Sequence, residues 1–226
     1  MSISHNKIID YSQIKVIGFD LDQTLYPKSP EIDKAIQSYL YQKIAVHKKT
    51  DLVVAEKLFS ELYQNGNGLS GRQTLEKLGL PGADSLVQEA LENANIIDLI
   101  NPNTDLNQLL IELKNNYKNL DIITGSNQIQ VQKKLSKLEI SKNLFNNIID
   151  GDQTSKSTGS AYRLWLSLYP ELLPKHFLYI GDRASNDYLR PKELGINAIL
   201  VNIKKPDPSI PCQQLESFIE LREYLI

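Results

Sequence analysis

The stretch Val16-Ile17-Gly18-Phe19-Asp20-Leu21-Asp22-Gln23-Thr24-Leu25-Tyr26 opens as a short apolar run and ends in two carboxylates spaced i, i+2. An apolar run of that length, bounded by turn-forming residues, reads as a fully buried strand of the kind found in parallel sheets. Alternate side chains of an extended chain share a face, so Asp20 and Asp22 emerge side by side where the strand ends. Two acids there are costly without a metal, a partner or a proton. In an open α/β sheet, the carboxyl ends of the strands are also where ligands bind.

Downstream of Tyr26 the pattern is helical. Ser29 and Pro30 form a cap and a first helical position, and Ile32, Ala35, Ile36, Tyr39, Leu40 and Ile44 follow at helical spacing. A second helix, with Thr50 as its expected cap, carries Leu52, Ala55, Leu58, Phe59 and Leu62 and stops at Asn65-Gly66-Asn67-Gly68. Shorter helices are expected over about Ser70 to Leu78 and Asp84 to Asn93. Residues 27–101 therefore read as an all-helical module inserted after the first strand, with Asn101-Pro102-Asn103-Thr104 as its boundary.

Beyond that boundary helices and short apolar runs alternate. Strands are expected at Leu120–Thr124, Asn147–Asp150, Phe177–Gly181 and Ala198–Val201, with helices between them and a C-terminal helix carrying Leu215, Phe218, Ile219 and Leu225. This is the pattern of an α/β protein with a doubly wound parallel sheet of about five strands, its core built from residues 1–26 and 102–226.

Composition narrows the function classes. With 25 basic and 27 acidic residues the net charge is −2, so no global field favours nucleic acid or an anionic membrane. No apolar run approaches membrane-spanning length and no signal peptide is read at the start of the chain. The single cysteine, Cys212, excludes an internal disulfide and fits a reducing, cytoplasmic setting.

Four clusters fall at the expected carboxyl ends of different strands: Asp20 with Asp22; Thr124-Gly125-Ser126-Asn127; Lys156; and Asp182 with Asp187. Carboxylates meeting in one crevice repel one another unless they bind a hard cation, and Mg2+ prefers oxygen ligands completed by a substrate phosphate. A hydroxyl followed by flexible backbone and a helix start cradles phosphate. Lys156 and the Thr124 hydroxyl supply charge and a donor for the phosphate oxygens. A carboxylate facing phosphorus can attack it and form an acyl phosphate.

On these four clusters in this order, the chain resembles the haloacid dehalogenase superfamily, with Asp20-Leu21-Asp22-Gln23-Thr24 as the first signature. The resemblance implies a Rossmann-like core with a helical cap at 27–101, and a Mg2+-dependent phosphatase acting on a small phosphorylated metabolite. It implies Asp20 as nucleophile and metal ligand. Asp22 would be the general acid and base, with its carbonyl on the metal, and crowding by Asp20 and a phosphate should raise its pKa. Thr124, Gly125, Ser126, Asn127 and Lys156 would bind the phosphoryl group, and Asp182 and Asp187 the metal. Lys156 is followed by Ser157 where relatives often have proline; Lys205-Pro206-Asp207-Pro208 lies after the last strand and reads as a surface turn. Within the module, Leu62 to Gly71 resembles the pyrimidine 5'-nucleotidase branch, with Ser70 where that branch often has arginine and Arg72 nearby. A phosphomutase and a non-catalytic metal- and phosphate-binding protein are the rival functions, and a monomer or homodimer is expected. His5, His47 and His176 lack metal spacing, Trp165 reads as core, and Lys133, Lys134 and Lys137 read as a solvated helix face. Tyr39, Tyr41 and Tyr63 read as packing within the module.

Overall fold

The computed structural model describes residues 9–64 and 68–226, apart from the side chains of residues 84, 88 and 92. The chain divides into two compact units, Met1–Pro27 with Ile100–Ile226, and Lys28–Leu99.

Strand β1 (Val16–Phe19) is buried at every position, as a strand covered on both faces must be. The helical unit follows it. Helix α1 (Pro30–Lys48) has proline in its first turn, and the Ser29 hydroxyl accepts the Ile32 N–H, so the cap lies where the sequence placed it. Helix α2 (Leu52–Tyr63) is capped by Asp51, whose carboxylate accepts the Val54 N–H, and not by Thr50. The helix stop expected at Asn65-Gly66-Asn67 lies outside the described residues, as does His5; the last described turn closes on Gln64 in the left-handed region, φ 49°. Helix α3 (Gly71–Lys77) starts in a reciprocal capping box between Ser70 and Gln73. Helix α4 runs over Ala83–Asn93. Leu40, Ile44, Ala55, Phe59, Leu75 and Ala90 are buried in this unit's core. Tyr41 and Tyr63 pack on Phe59, and the Tyr39 hydroxyl donates to Glu89.

The other unit alternates strand and helix: α5 (Thr104–Tyr117), β2 (Asn119–Ile123), α6 (Gln128–Lys137), β3 (Asn147–Ile149), α7 (Ser160–Ser167), β4 (Phe177–Gly181), α8 (Arg190–Glu193), β5 (Asn197–Leu200), β6 (Gln213–Gln214) and α9 (Arg222–Leu225). The strands pair in parallel in the order β3-β2-β1-β4-β5-β6. The expected parallel α/β sheet is therefore present, with a sixth strand. The expected C-terminal helix is broken: Leu215 follows β6, Phe218–Leu221 is a 3-10 turn, and α9 covers only the last residues. Registers Phe19↔Ile122, Phe19↔Ile180 and Ile123↔Ile149 bring the carboxyl ends of β1, β2, β3 and β4 to one edge of the sheet.

Trp165 is fully buried, as expected, with Tyr162, Phe177, Tyr179 and Ile123. Asp121 of β2, also fully buried, accepts hydrogen bonds from Trp165 Nε1 (2.8 Å), Tyr169 Oη (2.8 Å) and both the backbone and the side-chain nitrogen of Asn147 (2.8 and 3.0 Å). Burial outweighs these donors and holds its carboxyl above the usual range. An Asp121→Asn substitution leaves one acceptor oxygen for four donors and should cost about 1–3 kcal/mol. A carboxyl raised on folding contributes stability that is present below its unfolded pKa and lost as pH rises through the folded one. The deficit of Asp121→Asn should therefore narrow from pH 4 towards neutrality, which urea unfolding at several pH values measures.

Candidate active site

The loop after β1 carries Asp20 at the sheet edge, its N–H donating to the Ile180 carbonyl at 2.8 Å. Gln23, in the left-handed region at φ 61°, turns the chain back, and Asn202 Nδ2 donates to the carbonyls of Gln23 (2.8 Å) and Thr24 (3.2 Å). That tie offsets the cost of a non-glycine residue in this region.

Lys156 reaches the same place from the loop after β3. Its Nζ lies 2.7 Å from Asp20 Oδ1 and 2.7 Å from Asp187 Oδ1, and it donates to Tyr179 Oη at 3.1 Å. Burial alone would lower the affinity of this ammonium for its proton; Asp187 and Asp20 reverse that and raise it. Asp187 sits in a π-helical turn, Ala184–Leu189, and its Oδ2 accepts the N–H groups of Asp182 (3.1 Å) and Arg183 (2.9 Å). A Cβ on Gly181 would lie 2.4 Å from the Asp187 Cβ, so glycine is what lets this carboxylate lie against β4.

Oxygens of Asp20, Asp182 and Asp187 all lie within 4.8 Å of one another. Burial pushes the Asp20 carboxyl up to about 8 despite Lys156, and the neighbouring acids add to it. Burial likewise raises Asp182 to about 6, opposed by the charge of Arg183. The buried Asp182 Oδ1 has no hydrogen-bond partner among the described residues. An all-oxygen set with an orphaned acceptor and excess negative charge fits a hard divalent cation.

Thr124 follows β2, is 2 % exposed, and its Oγ1 accepts the Ser126 N–H at 3.1 Å. A Cβ on Gly151 would lie 2.2 Å from the Gly125 carbonyl oxygen, and the Gly151 N–H donates to the Ser126 carbonyl at 2.9 Å, so the loop after β3 braces this turn. Asn127 caps α6, its Oδ1 accepting the Gln130 N–H at 2.9 Å.

Asp22 departs most from expectation. Tyr26 Oη (2.6 Å) and Lys134 Nζ (2.5 Å) donate to its Oδ1, and Ser126 Oγ (2.6 Å) donates to its Oδ2. Burial alone would raise this carboxyl; Lys134, Ser126 and Tyr26 outweigh burial and hold it below the usual carboxylate range. The raised value expected from crowding is thus corrected for the protein without substrate. Lys134 is corrected too: it is not on a solvated face but fully buried. Its signal was in the sequence, because Val131, Lys134, Leu135 and Leu138 lie on one helical stripe and the other three are core residues. Lys205, Pro206, Asp207 and Pro208 are exposed, as expected of a surface turn.

The sequence model of the haloacid dehalogenase-like hydrolases matches residues 17–201. Among solved structures, the chain is similar to a HAD phosphatase from Thermococcus onnurineus (20% identity, 94% of this chain and 98% of that one, TM-score 0.61). It is similar to a haloacid dehalogenase-like family hydrolase from Streptococcus pneumoniae (19%, 95% and 100%, TM-score 0.65). It is also similar to a 2-haloacid dehalogenase from Pseudomonas syringae pv. Tomato DC3000 (18%, 94% and 98%, TM-score 0.55). At these identities the likeness establishes a shared fold and leaves the chemistry to the site.

Proposed function

The chain belongs to the haloacid dehalogenase-like hydrolases, and from that premise we propose that it is a Mg2+-dependent phosphatase of a small phosphorylated metabolite, working through an aspartyl phosphate on Asp20. The carrying observation is the group of buried Asp20, half-buried Asp182 and buried Asp187, with Lys156 against Asp20 and Asp187 and with Asp182 Oδ1 lacking a partner among the described residues. Mg2+ would be held by those three carboxylates and the main-chain carbonyl of Asp22. Bound there, it would offset the repulsion between a carboxylate and a phosphate dianion.

Asp20 Oδ attacks phosphorus and the bond to the leaving oxygen breaks, while Asp22 delivers a proton to that oxygen. Water then attacks the aspartyl phosphate, Asp22 takes its proton, and inorganic phosphate leaves with Asp20 regenerated. Lys156, the Thr124 hydroxyl and the Gly125 backbone hold the phosphoryl oxygens, with Asn127 at the head of α6, whereas Ser126, expected among them, has its N–H on Thr124 Oγ1 and its hydroxyl on Asp22. The acid step draws on the substrate itself: a dianion beside Asp22 raises the affinity of that carboxylate for a proton, and the ionised carboxylate left after the proton is given up is the form that takes the proton from water. The helical unit Lys28–Leu99 would serve as the cap that selects the substrate and excludes water. The lone Cys212 supports a cytoplasmic setting.

A panel of phosphomonoesters, including nucleoside 5'-monophosphates and sugar phosphates, tests the reading. Phosphate release should rise about 100-fold or more with Mg2+ over chelator. An isomerised phosphate ester in place of free phosphate would favour a phosphomutase. Bound Mg2+ with no turnover of any ester would favour a non-catalytic binding protein.

A further inference from the structure

Among the described residues, the buried cation Lys134 has no role in the reaction proposed above. It sits on α6 with no solvent exposure. Its Nζ donates to Asp22 Oδ1 at 2.5 Å and to Ser126 Oγ at 2.8 Å. A serine hydroxyl has one proton, and that of Ser126 goes to Asp22 Oδ2 at 2.6 Å. The three side chains therefore close a ring in which both oxygens of Asp22 are engaged. Tyr26 Oη adds a second donor on Oδ1 at 2.6 Å. With both oxygens held, the plane of the carboxylate is set and its rotation about the Cβ–Cγ bond is stopped. Hydroxyls alone would do this poorly for a buried anion, since charge-assisted bonds are about twice as strong as neutral ones.

The ring also joins two parts of the site that are distant in sequence. Lys134 and Ser126 belong to α6 and the turn before it, the segment that begins at Thr124; Asp22 belongs to the loop after β1. A fully buried lysine is expensive unless it is paired, and here its partners all converge on one carboxylate. No substrate phosphate is needed to explain its position, because it faces Asp22 and Ser126.

We propose that Lys134 is a positioning residue that, with Ser126 and Tyr26, fixes the orientation of the Asp22 carboxylate for proton transfer to the leaving oxygen. The proposal rests on the phosphatase reading. It predicts a dependence on the leaving group. An alkyl ester needs a well-aimed acid, whereas the p-nitrophenolate of p-nitrophenyl phosphate leaves with little help. The parameter kcat/KM reports the steps up to departure of the leaving group, so the later base step does not obscure it.

The experiment compares wild type, Asp20→Asn, Lys134→Met, Asp22→Asn and the Lys134→Met/Asp22→Asn pair on p-nitrophenyl phosphate and on the alkyl phosphomonoester turned over fastest in the panel. Lys134→Met should lower kcat/KM about 100-fold on the alkyl ester and less than about 5-fold on p-nitrophenyl phosphate. The double variant should be no slower than Asp22→Asn alone, because Lys134 acts through Asp22. Equal losses on the two esters, no loss on the alkyl ester, or a further tenfold loss in the double variant would overturn the assignment. If Lys134→Met does not fold, Tyr26→Phe, which removes the other donor on Asp22 Oδ1, carries the same comparison of the two esters: a loss on the alkyl ester alone supports the assignment, and an equal loss on both or none on the alkyl ester overturns it. Failure of the phosphatase reading shows separately, as equal phosphate release by wild type and Asp20→Asn.

Discussion

Asp20→Asn should lower phosphate release by roughly 10⁴-fold or more while leaving the protein folded. The amide has the shape of the carboxylate but no nucleophilic oxygen, so the covalent route closes. Binding and the remaining groups persist. The stability change has the opposite sign. Burial pushes the Asp20 carboxyl up to about 8, which means that the folded protein holds this group better neutral than charged. Such a group contributes stability that is present below its unfolded pKa, near 4, and lost as pH rises through the folded value. The neutral amide escapes that loss. With chelator present, Asp20→Asn should therefore be at least as stable as wild type at pH 8, and its advantage should grow between pH 5 and pH 8. Thermal melts across that range, beside a phosphate-release assay, check both halves. Activity above about 1% of wild type would move the nucleophile to another group. A melting temperature that falls in the variant at pH 8 would mean that the ion pair to Lys156 outweighs the burial of Asp20.

How far the sequence could be read depends on which physical signal each residue carries. β1 and β4 announce themselves because a strand buried on both faces must be continuously apolar, and Val16-Ile17-Gly18-Phe19 and Phe177-Leu178-Tyr179-Ile180 are. β6 has no such signal: it is two glutamines, made a strand by their pairing with Ile199 and Leu200. The C-terminal helix fails for a related reason. Leu215, Phe218, Leu221 and Leu225 are all buried, but Leu215 follows a short strand, Phe218 and Leu221 lie in a 3-10 turn and only Leu225 lies in the single-turn α9, and periodicity alone does not separate that succession from one helix. Ser29 was legible as a cap because Pro30 marks the first turn beside it. At the start of α2, Thr50 and Asp51 both have capping side chains, and Asp51 caps.

The acids and Lys156 were legible as a set because each follows an apolar strand, and parallel strands deliver their carboxyl ends to one edge. From sequence Lys134 reads as a surface residue because a lysine between two others on a helix usually faces water. Its place on the stripe of Val131, Leu135 and Leu138 was the contrary signal. What remained invisible was its partner: Asp22 lies 112 positions away, and only the fold brings the two together. The direction of the Asp22 shift depends on the same long-range partners. Crowding by acids was countable from the sequence, whereas the three donors from Lys134, Ser126 and Tyr26 were not.

Lys156→Met should remove both activity and stability, and the pattern separates its role from that of Lys134. Lys156 Nζ stands 2.7 Å from Asp20 and 2.7 Å from Asp187, with Asp187 fully buried and Asp20 and Lys156 nearly so. Removing one partner of a buried ion pair leaves an uncompensated charge and costs about 3–5 kcal/mol. In a domain of this size each kcal/mol corresponds to about 2–4 °C, so the melt of the sheet-containing unit should fall by about 6–20 °C in chelator. Mg2+ should return part of that loss, because the same carboxylates that lost Lys156 are those proposed to bind the ion. Catalysis should fall about 10³-fold, since a preorganised cation on the transferring phosphoryl group is lost. That group is common to every substrate. The loss should therefore be similar on p-nitrophenyl phosphate and on an alkyl ester, unlike the leaving-group-dependent loss expected of Lys134→Met. A Lys156→Met variant that keeps its activity while losing stability would reduce Lys156 to the counter-ion of Asp187. A loss confined to the alkyl ester would place it in the proton-transfer apparatus instead.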